Sequence, residues 1–298
     1  KNPQCILDLC MKKTNQQLGF IGAGNMAEAM IGAMLRTGLV SAENITISDP
    51  SADRCRYMET TWQLRCARNN AGLVEASDTV ILAVKPQVID TVLQELARQG
   101  AFAVPKDRRR FISIAAGVSL ARLEAAIYRR CSEEDKKKMP ILRVMPNTPA
   151  LVGAGMSGLC ANAYALKSDQ EEVCQMLETM GRVKIVEEKM MDAVTALSGS
   201  GPAYAFYLLE AMIQAGREMG LENEDASDLA QSAVSGALSL IQAQAEDPQA
   251  LRRKVTSPGG TTEAAIAVLD DFNVRQAFVS AIHAAAERSR QLSQPSKE

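Results

Sequence analysis

An α/β half built on a parallel sheet, followed by an all-helical half, is the fold class that this 298-residue sequence predicts. Three observations carry it. Strand and helix signals alternate through the first 186 residues, as they do where βα units build a parallel sheet covered by helices on both faces. From Met190 onward the strand signals give way to one helical stretch after another. The charge balance changes at the same place: residues 1–186 carry 24 basic and 19 acidic side chains, residues 187–298 carry 9 and 16. The expected boundaries are a poorly ordered extension over 1–17, a sheet domain over 18–186 and a helical domain over 187–298.

Leu18–Ala23 reads as a strand, and Met26–Arg36 as a helix with apolar residues at helical spacing, closed by Gly38. Ile45–Ser48 is a second strand and Ser51–Thr61 a second helix. Thr79–Val84 is a continuous apolar run ending at Lys85-Pro86, as a buried parallel strand should be. Val88–Gln99 follows as a helix. Phe111–Ala115 and Leu142–Met145 are short strands separated by a Leu120–Arg129 helix. In the second half the helices fall at Ala193–Leu197, Ala203–Met219, Ala226–Ala245, Pro248–Val255, Thr262–Asp270 and Val274–Gln291. They are rich in Ala, Leu, Met and Gly around much of their circumference. Such helices need cover on more than one side, which one layer cannot supply, so a homo-oligomer built through this half is expected.

Composition narrows the function. With 47% hydrophobic and 23% charged residues the chain is an ordinary globular protein, and a net charge of −2 offers no bulk basicity for nucleic acid. The basic runs Arg108–Arg110 and Lys136–Lys138 read as solvated loop faces. The single histidine, His283, excludes a two-histidine zinc site and a two-histidine proton relay; it reads as a packed or surface residue. The seven cysteines are scattered and never spaced C-x-x-C, which argues against structural zinc or a disulfide framework. No metal is expected, and a reducing, cytoplasm-like compartment is. No apolar run approaches the roughly 20 residues that cross a bilayer. Residues 1–17 lack the apolar stretch of a signal peptide.

Gly22-Ala23-Gly24-Asn25-Met26-Ala27 lies between the first strand and the first helix and matches G-x-G-x-x-A. Gly22 makes the tight turn, Gly24 lets backbone approach a pyrophosphate, and Ala27 keeps the helix close to its strand. In that setting the pattern points to a dinucleotide and a Rossmann-type sheet. Asp49 ends the second strand. It can accept the ribose hydroxyls of NAD and repel the 2′-phosphate of NADP, or it can serve as an Asx turn before Pro50. Arg54 could pair with that phosphate, so NADPH and NADH both stay open.

A second glycine-rich stretch, Ser257-Pro258-Gly259-Gly260-Thr261-Thr262, precedes a helix. Its backbone N–H groups form a nest suited to a small carboxylate, or simply a helix cap. A third, Ser198–Tyr204, opens the next long helix with small residues that permit close backbone approach.

These three loops together resemble the pyrroline-5-carboxylate reductase family. Matching pieces run along nearly the whole chain: Gly22–Ala27, Ala83-Val84-Lys85-Pro86, Ala115-Ala116-Gly117, Pro146-Asn147-Thr148-Pro149, Ser198–Tyr204 and Ser257–Thr262. The resemblance implies hydride transfer from NADPH or NADH to the imine carbon of L-1-pyrroline-5-carboxylate, giving L-proline. It places the cofactor on Gly22, Gly24, Asn25, Met26, Asn70, Ala83, Val84, Lys85, Pro86, Ala115, Ala116 and Gly117, with Asp49 at the ribose. It places the substrate carboxylate on Ser257, Gly259, Gly260, Thr261 and Thr262, with Glu188 nearby and Thr262 at the imine nitrogen as the catalytic hydroxyl. It also implies homodimers interlocked through the helical domain, assembled into larger rings such as a decamer. Two departures stand out. Asp49 replaces the small hydroxyl residue of NADPH-preferring members, and Lys254 replaces an asparagine of some relatives; its role is left open.

The chemistry needs little acid–base machinery, mainly orientation and desolvation in a closed cleft. A β-hydroxyacid dehydrogenase would rely on a lysine early in a glycine-flanked helix; Lys189 and Lys254, the lysines between 187 and 296, open none. A non-catalytic dinucleotide sensor would keep the first loop but would not need the Ser257–Thr262 nest.

Overall fold

The computed structural model describes residues 14–103 and 105–293. Their contacts divide the chain into two compact units, one running to Gly199 and resuming at Ala286, the other spanning Ser200–Ala285. The units thus part at Ser200, later than the charge break at 187, because the turns between Glu188 and Gly199 pack on the sheet.

The first unit is built from β1 (Leu18–Ile21), α1 (Asn25–Arg36), β2 (Ile45–Ser48), α2 (Ala52–Trp62), β3 (Arg65–Cys66), α3 (Asn70–Glu75), β4 (Thr79–Leu82), α4 (Ile89–Arg98), β5 (Arg110–Ser113), α5 (Leu120–Ile127), α6 (Glu133–Lys137), β6 (Ile141–Met145), β7 (Gly155–Ala161), α7 (Lys167–Glu178), β8 (Gly181–Ile185) and α8 (Met191–Val194). The sheet order is β3-β2-β1-β4-β5-β6-β7-β8. Every pairing is parallel except β6–β7, which is antiparallel. Successive side chains point to opposite faces, so Phe20 and Leu142 enter the core under α1, α2 and α7, while Ile21 and Ile141 enter the one under α3, α4 and α5. β1 and β4, in the middle of the sheet, are buried on both sides, which explains their unbroken apolar runs.

The structure corrects two expectations. Residues 14–17 belong to the fold: the Thr14 N–H donates to the Leu39 carbonyl at 2.9 Å and the Gln17 N–H to Asp78 Oδ2 at 2.9 Å. The rest of the expected extension, with Cys5 and Cys10, lies outside the described residues. Arg108–Arg110 is no solvated run. Arg110 is 6% exposed and pairs with Glu172, Arg108 forks onto Asp169 (2.6 Å), and Arg109 donates to the Ser77 and Glu75 carbonyls. Asp169, brought over from α7, supplies the charge that lets guanidinium groups leave water here.

The second unit holds α9 (Gly201–Glu218), α10 (Asn223–Gln244), α11 (Pro248–Lys254), α12 (Thr261–Asp271) and most of α13 (Val274–Ser293). α9 and α10 meet where Gly216 lies against Ala226, too close for any side chain at 216. Little else is covered: Phe206, Tyr207, Leu229, Leu238, Val268 and Phe272 are all exposed. Apolar surface on this scale marks an interface. No helix among the described residues is long and apolar enough to cross a membrane.

Candidate active site

The carboxyl ends of β1, β2, β4 and β5 carry the predicted cofactor residues, and the sheet brings their turns together. Gly22 adopts φ +95°, and its N–H donates to the Ser48 carbonyl at 2.8 Å. A Cβ there would stand 2.7 Å from the Ala83 carbonyl oxygen, so both conformation and crowding demand glycine. Ala83 in turn donates to the Ile21 carbonyl, at 2.8 Å, which locks Ala83–Pro86 against the first turn. Gly24 is the N-cap of α1, makes no side-chain cap and faces open space. The first-turn N–H groups behind it, from Asn25 and Met26 onward, point out of the helix as an anion site. Asn70 opens α3 immediately after the Asn69 cap. On the far side, Ala115 and Ala116 lead into a turn at Gly117, which takes φ +71°. Gly117 packs under Leu292 of α13, where a Cβ would approach to 2.8 Å.

Asp49 serves the turn itself. Its Oδ2 accepts the Ala23 N–H at 2.9 Å and its Oδ1 the Ser51 N–H at 3.0 Å. The Asx-turn reading is therefore correct, and it holds the charge beside the cofactor turn. Arg54 is engaged elsewhere: its Nε donates to the Ala23 carbonyl, its Nη2 pairs with Glu28, and its guanidinium lies 4.9 Å over the Tyr57 ring. Burial pushes the Glu28 carboxyl up, but hydrogen bonds from Arg54, Trp62 and Tyr57 outweigh it and hold the group below its usual range.

Glu188 stands in the first unit with both carboxylate oxygens engaged. Oε1 accepts from Arg143 Nη1 at 2.7 Å and from the Leu120 N–H at 3.1 Å; Oε2 accepts from the Cys160 thiol. Burial, then the neighbouring carboxylate, pushes the Cys160 thiol up, so it stays protonated and donates. Arg143 is 3% exposed, and its Nη2 finds no partner among the described residues. The carboxylate predicted to stand near substrate thus ties β6 and β7 to the start of α5, directly after the Ala115–Gly117 turn. Arg143 and Cys160 escaped the sequence reading, although an arginine inside the apolar run Ile141–Met145 was a usable signal. Asn147 escaped it too: its Nδ2 donates to the Ser198 carbonyl (3.2 Å) and its Oδ1 accepts the Met156 N–H (2.9 Å), giving the Pro146–Pro149 motif a bracing task.

In the second unit the Ser257–Thr262 loop folds as a nest. Gly259 sits at φ +71°, and Gly260, the N-cap of α12, makes no side-chain cap. The Gly260 N–H returns to the Ser257 carbonyl at 3.0 Å, and the Gly259 N–H donates to the Glu263 carboxylate at 2.7 Å. The Thr261 and Thr262 N–H groups and the half-buried Thr262 hydroxyl have no partner among the described residues. Lys254 pairs with Glu246 at 2.6 Å, which gives it a structural role. His283 is exposed on α13. No group of three or more His, Cys, Asp or Glu among the described residues has metal-binding geometry.

Residues 188–292 match the family model described as pyrroline-5-carboxylate reductase dimerisation, and residues 17–117 one described as NADP oxidoreductase coenzyme F420-dependent. The pyrroline-5-carboxylate reductase of a Synechocystis strain is 40% identical over 276 residues, covering 93% of this chain and 98% of that protein. The chain belongs to the pyrroline-5-carboxylate reductase family. Solved members from Plasmodium falciparum, with NADP bound, and from Coxiella burnetii superpose with TM-scores of 0.82. They are 28% and 33% identical, and each comparison covers 95% of this chain and 100% of the other. Membership accounts for the exposed apolar helices: residues 188–292 match the family's dimerisation domain, whose apolar faces an oligomer would cover.

Proposed function

We propose that the chain is an NAD(P)H-dependent reductase that converts L-1-pyrroline-5-carboxylate to L-proline, the last step of proline biosynthesis. One observation carries the reading. Each unit presents a helix that starts on glycine with no side-chain cap, Gly24 at α1 and Gly260 at α12. One suits the pyrophosphate of a dinucleotide and the other the carboxylate of a small imino acid. The open space at Gly24 and the glycine-only turn at Gly22 fit the dinucleotide without rearrangement.

When bound, the reduced nicotinamide supplies the hydride, and solvent or a side chain supplies the proton on nitrogen. Ala83–Pro86 and Ala115–Gly117 hold the cofactor in register with the sheet ends. The Thr261 and Thr262 N–H groups, with Ser257, orient the carboxylate on a loop that Gly259 and Gly260 shape, and the Thr262 hydroxyl hydrogen-bonds the imine nitrogen. Glu188 acts from behind by fixing the Ala115–Gly117 turn rather than by touching substrate. A decamer of homodimers and residence in a reducing compartment such as the cytoplasm complete the reading; the free cysteines Cys55, Cys66, Cys131, Cys160 and Cys174 support the latter.

The test is oxidation of NADPH and of NADH, in parallel, by DL-pyrroline-5-carboxylate. Rapid oxidation supports the assignment, and none with either cofactor in folded protein removes it. Thr262→Ala is expected to lower kcat about 100-fold with little change in the KM for the imine. An unchanged kcat would take the role from the hydroxyl. Asp49→Ser is expected to raise the NADPH-to-NADH ratio of kcat/KM about tenfold, since it removes a charge from the ribose end. A constant ratio would leave Asp49 as a turn cap only.

A further inference from the structure

We propose that the groove between α4 and α5 is a binding site for an amphipathic anion, a small molecule with a carboxylate or phosphate head on an apolar body. The groove has a volume of about 880 Å³, in the range of small-molecule sites. Its floor is Leu93, Ala97, Ala126 and Ile127, and the small alanines leave the space open. Charge divides its two ends. At the end nearer the cofactor turns, Arg122 is neutralised by Asp90, with Nε to Oδ1 at 2.8 Å. At the other end Arg98, Arg129 and Arg130 line the rim, with no ion-pair or hydrogen-bond partner among the described residues.

The helices explain part of this arrangement but not all of it. α4 and α5 both finish at that rim, and each helix C-terminus carries about half a negative charge. Three guanidinium groups outweigh two such ends, so the rim stays cationic. The apolar floor disfavours a bare inorganic ion, and the unpaired arginines disfavour a neutral hydrocarbon. An apolar chain along the floor with its acidic head on the rim satisfies both.

The probe is decanoate, titrated calorimetrically into the full chain, with decyltrimethylammonium as the same chain of opposite charge. Decanoate is expected to saturate one site per chain with a Kd of about 10⁻⁴ M, and the cationic analogue to bind at least about tenfold more weakly. Arg129→Gln/Arg130→Gln is expected to weaken decanoate about tenfold while the melting temperature stays unchanged. Ala126→Trp, which fills the floor, is expected to abolish binding; the arginine variant stands alone if this one fails to fold. Equal binding of both amphiphiles, or decanoate affinity unchanged in the arginine variant, would overturn the proposal.

Discussion

Gly24→Asp is expected to abolish cofactor binding while leaving the fold at least as stable as before. Gly24 has φ −67° and ψ −178°, open to any residue, and nothing lies within 4 Å of a Cβ built there. An aspartate at this N-cap would accept the first-turn N–H groups of α1, adding a few tenths of a kcal/mol to helix stability. Those N–H groups are the donors a pyrophosphate needs, and a carboxylate in their place repels it. At about 4 Å and an effective dielectric near 20 the repulsion is about 4 kcal/mol, roughly a thousandfold in affinity. Calorimetric titration with NADPH beside a thermal melt checks both halves. Affinity within about threefold of the parent would show that the anion site lies elsewhere.

Glu188→Ala is expected to have the largest effect on stability. It removes the counter-charge of Arg143, which is almost wholly buried and already has one unsatisfied Nη. Breaking such a pair costs about 2–4 kcal/mol here, discounted because the Glu188 side chain keeps 35% of its exposure. It also frees the Leu120 N–H and with it the Ala115–Gly117 turn, so the KM for NADPH should rise about tenfold. Arg143→Met/Glu188→Ala is expected to recover most of the lost stability, because no buried charge is then left alone. Urea midpoints and steady-state kinetics of the three proteins decide it. A double variant as unstable as Glu188→Ala would show that the cost lies in the lost carboxylate contacts, not in the stranded guanidinium.

The cofactor turns were legible because their signals are local. Gly22, between a strand and a helix, takes a backbone conformation that other residues rarely share, and Gly24 leaves open space ahead of the helix. The helical half was equally legible, since 3.6-residue periodicity survives without knowledge of partners. The last two strands were not. Gly155–Ala161 is made of small residues and pairs antiparallel with β6, then parallel with Gly181–Ile185, so its strand character comes from its neighbours. Arg108–Arg110 misled for the same reason: the sequence shows three charges, and only folding brings Asp169 and Glu172 to meet them.

By itself, then, the sequence determined the two-part architecture, the family and the two glycine-opened helix starts, because each rests on periodicity or on residues near one another in the chain. The tertiary structure decided what the charged groups do. It turned Asp49 into the brace of its own turn, engaged Arg54 with Glu28, paired Lys254 with Glu246, and set Glu188 as a tie from β6 and β7 to the start of α5. A carboxylate's role depends on which donors reach it, and apart from Ser51 beside Asp49 those donors come from residues 8 to 68 positions away. Proximity of that kind exists only once the sheet has formed.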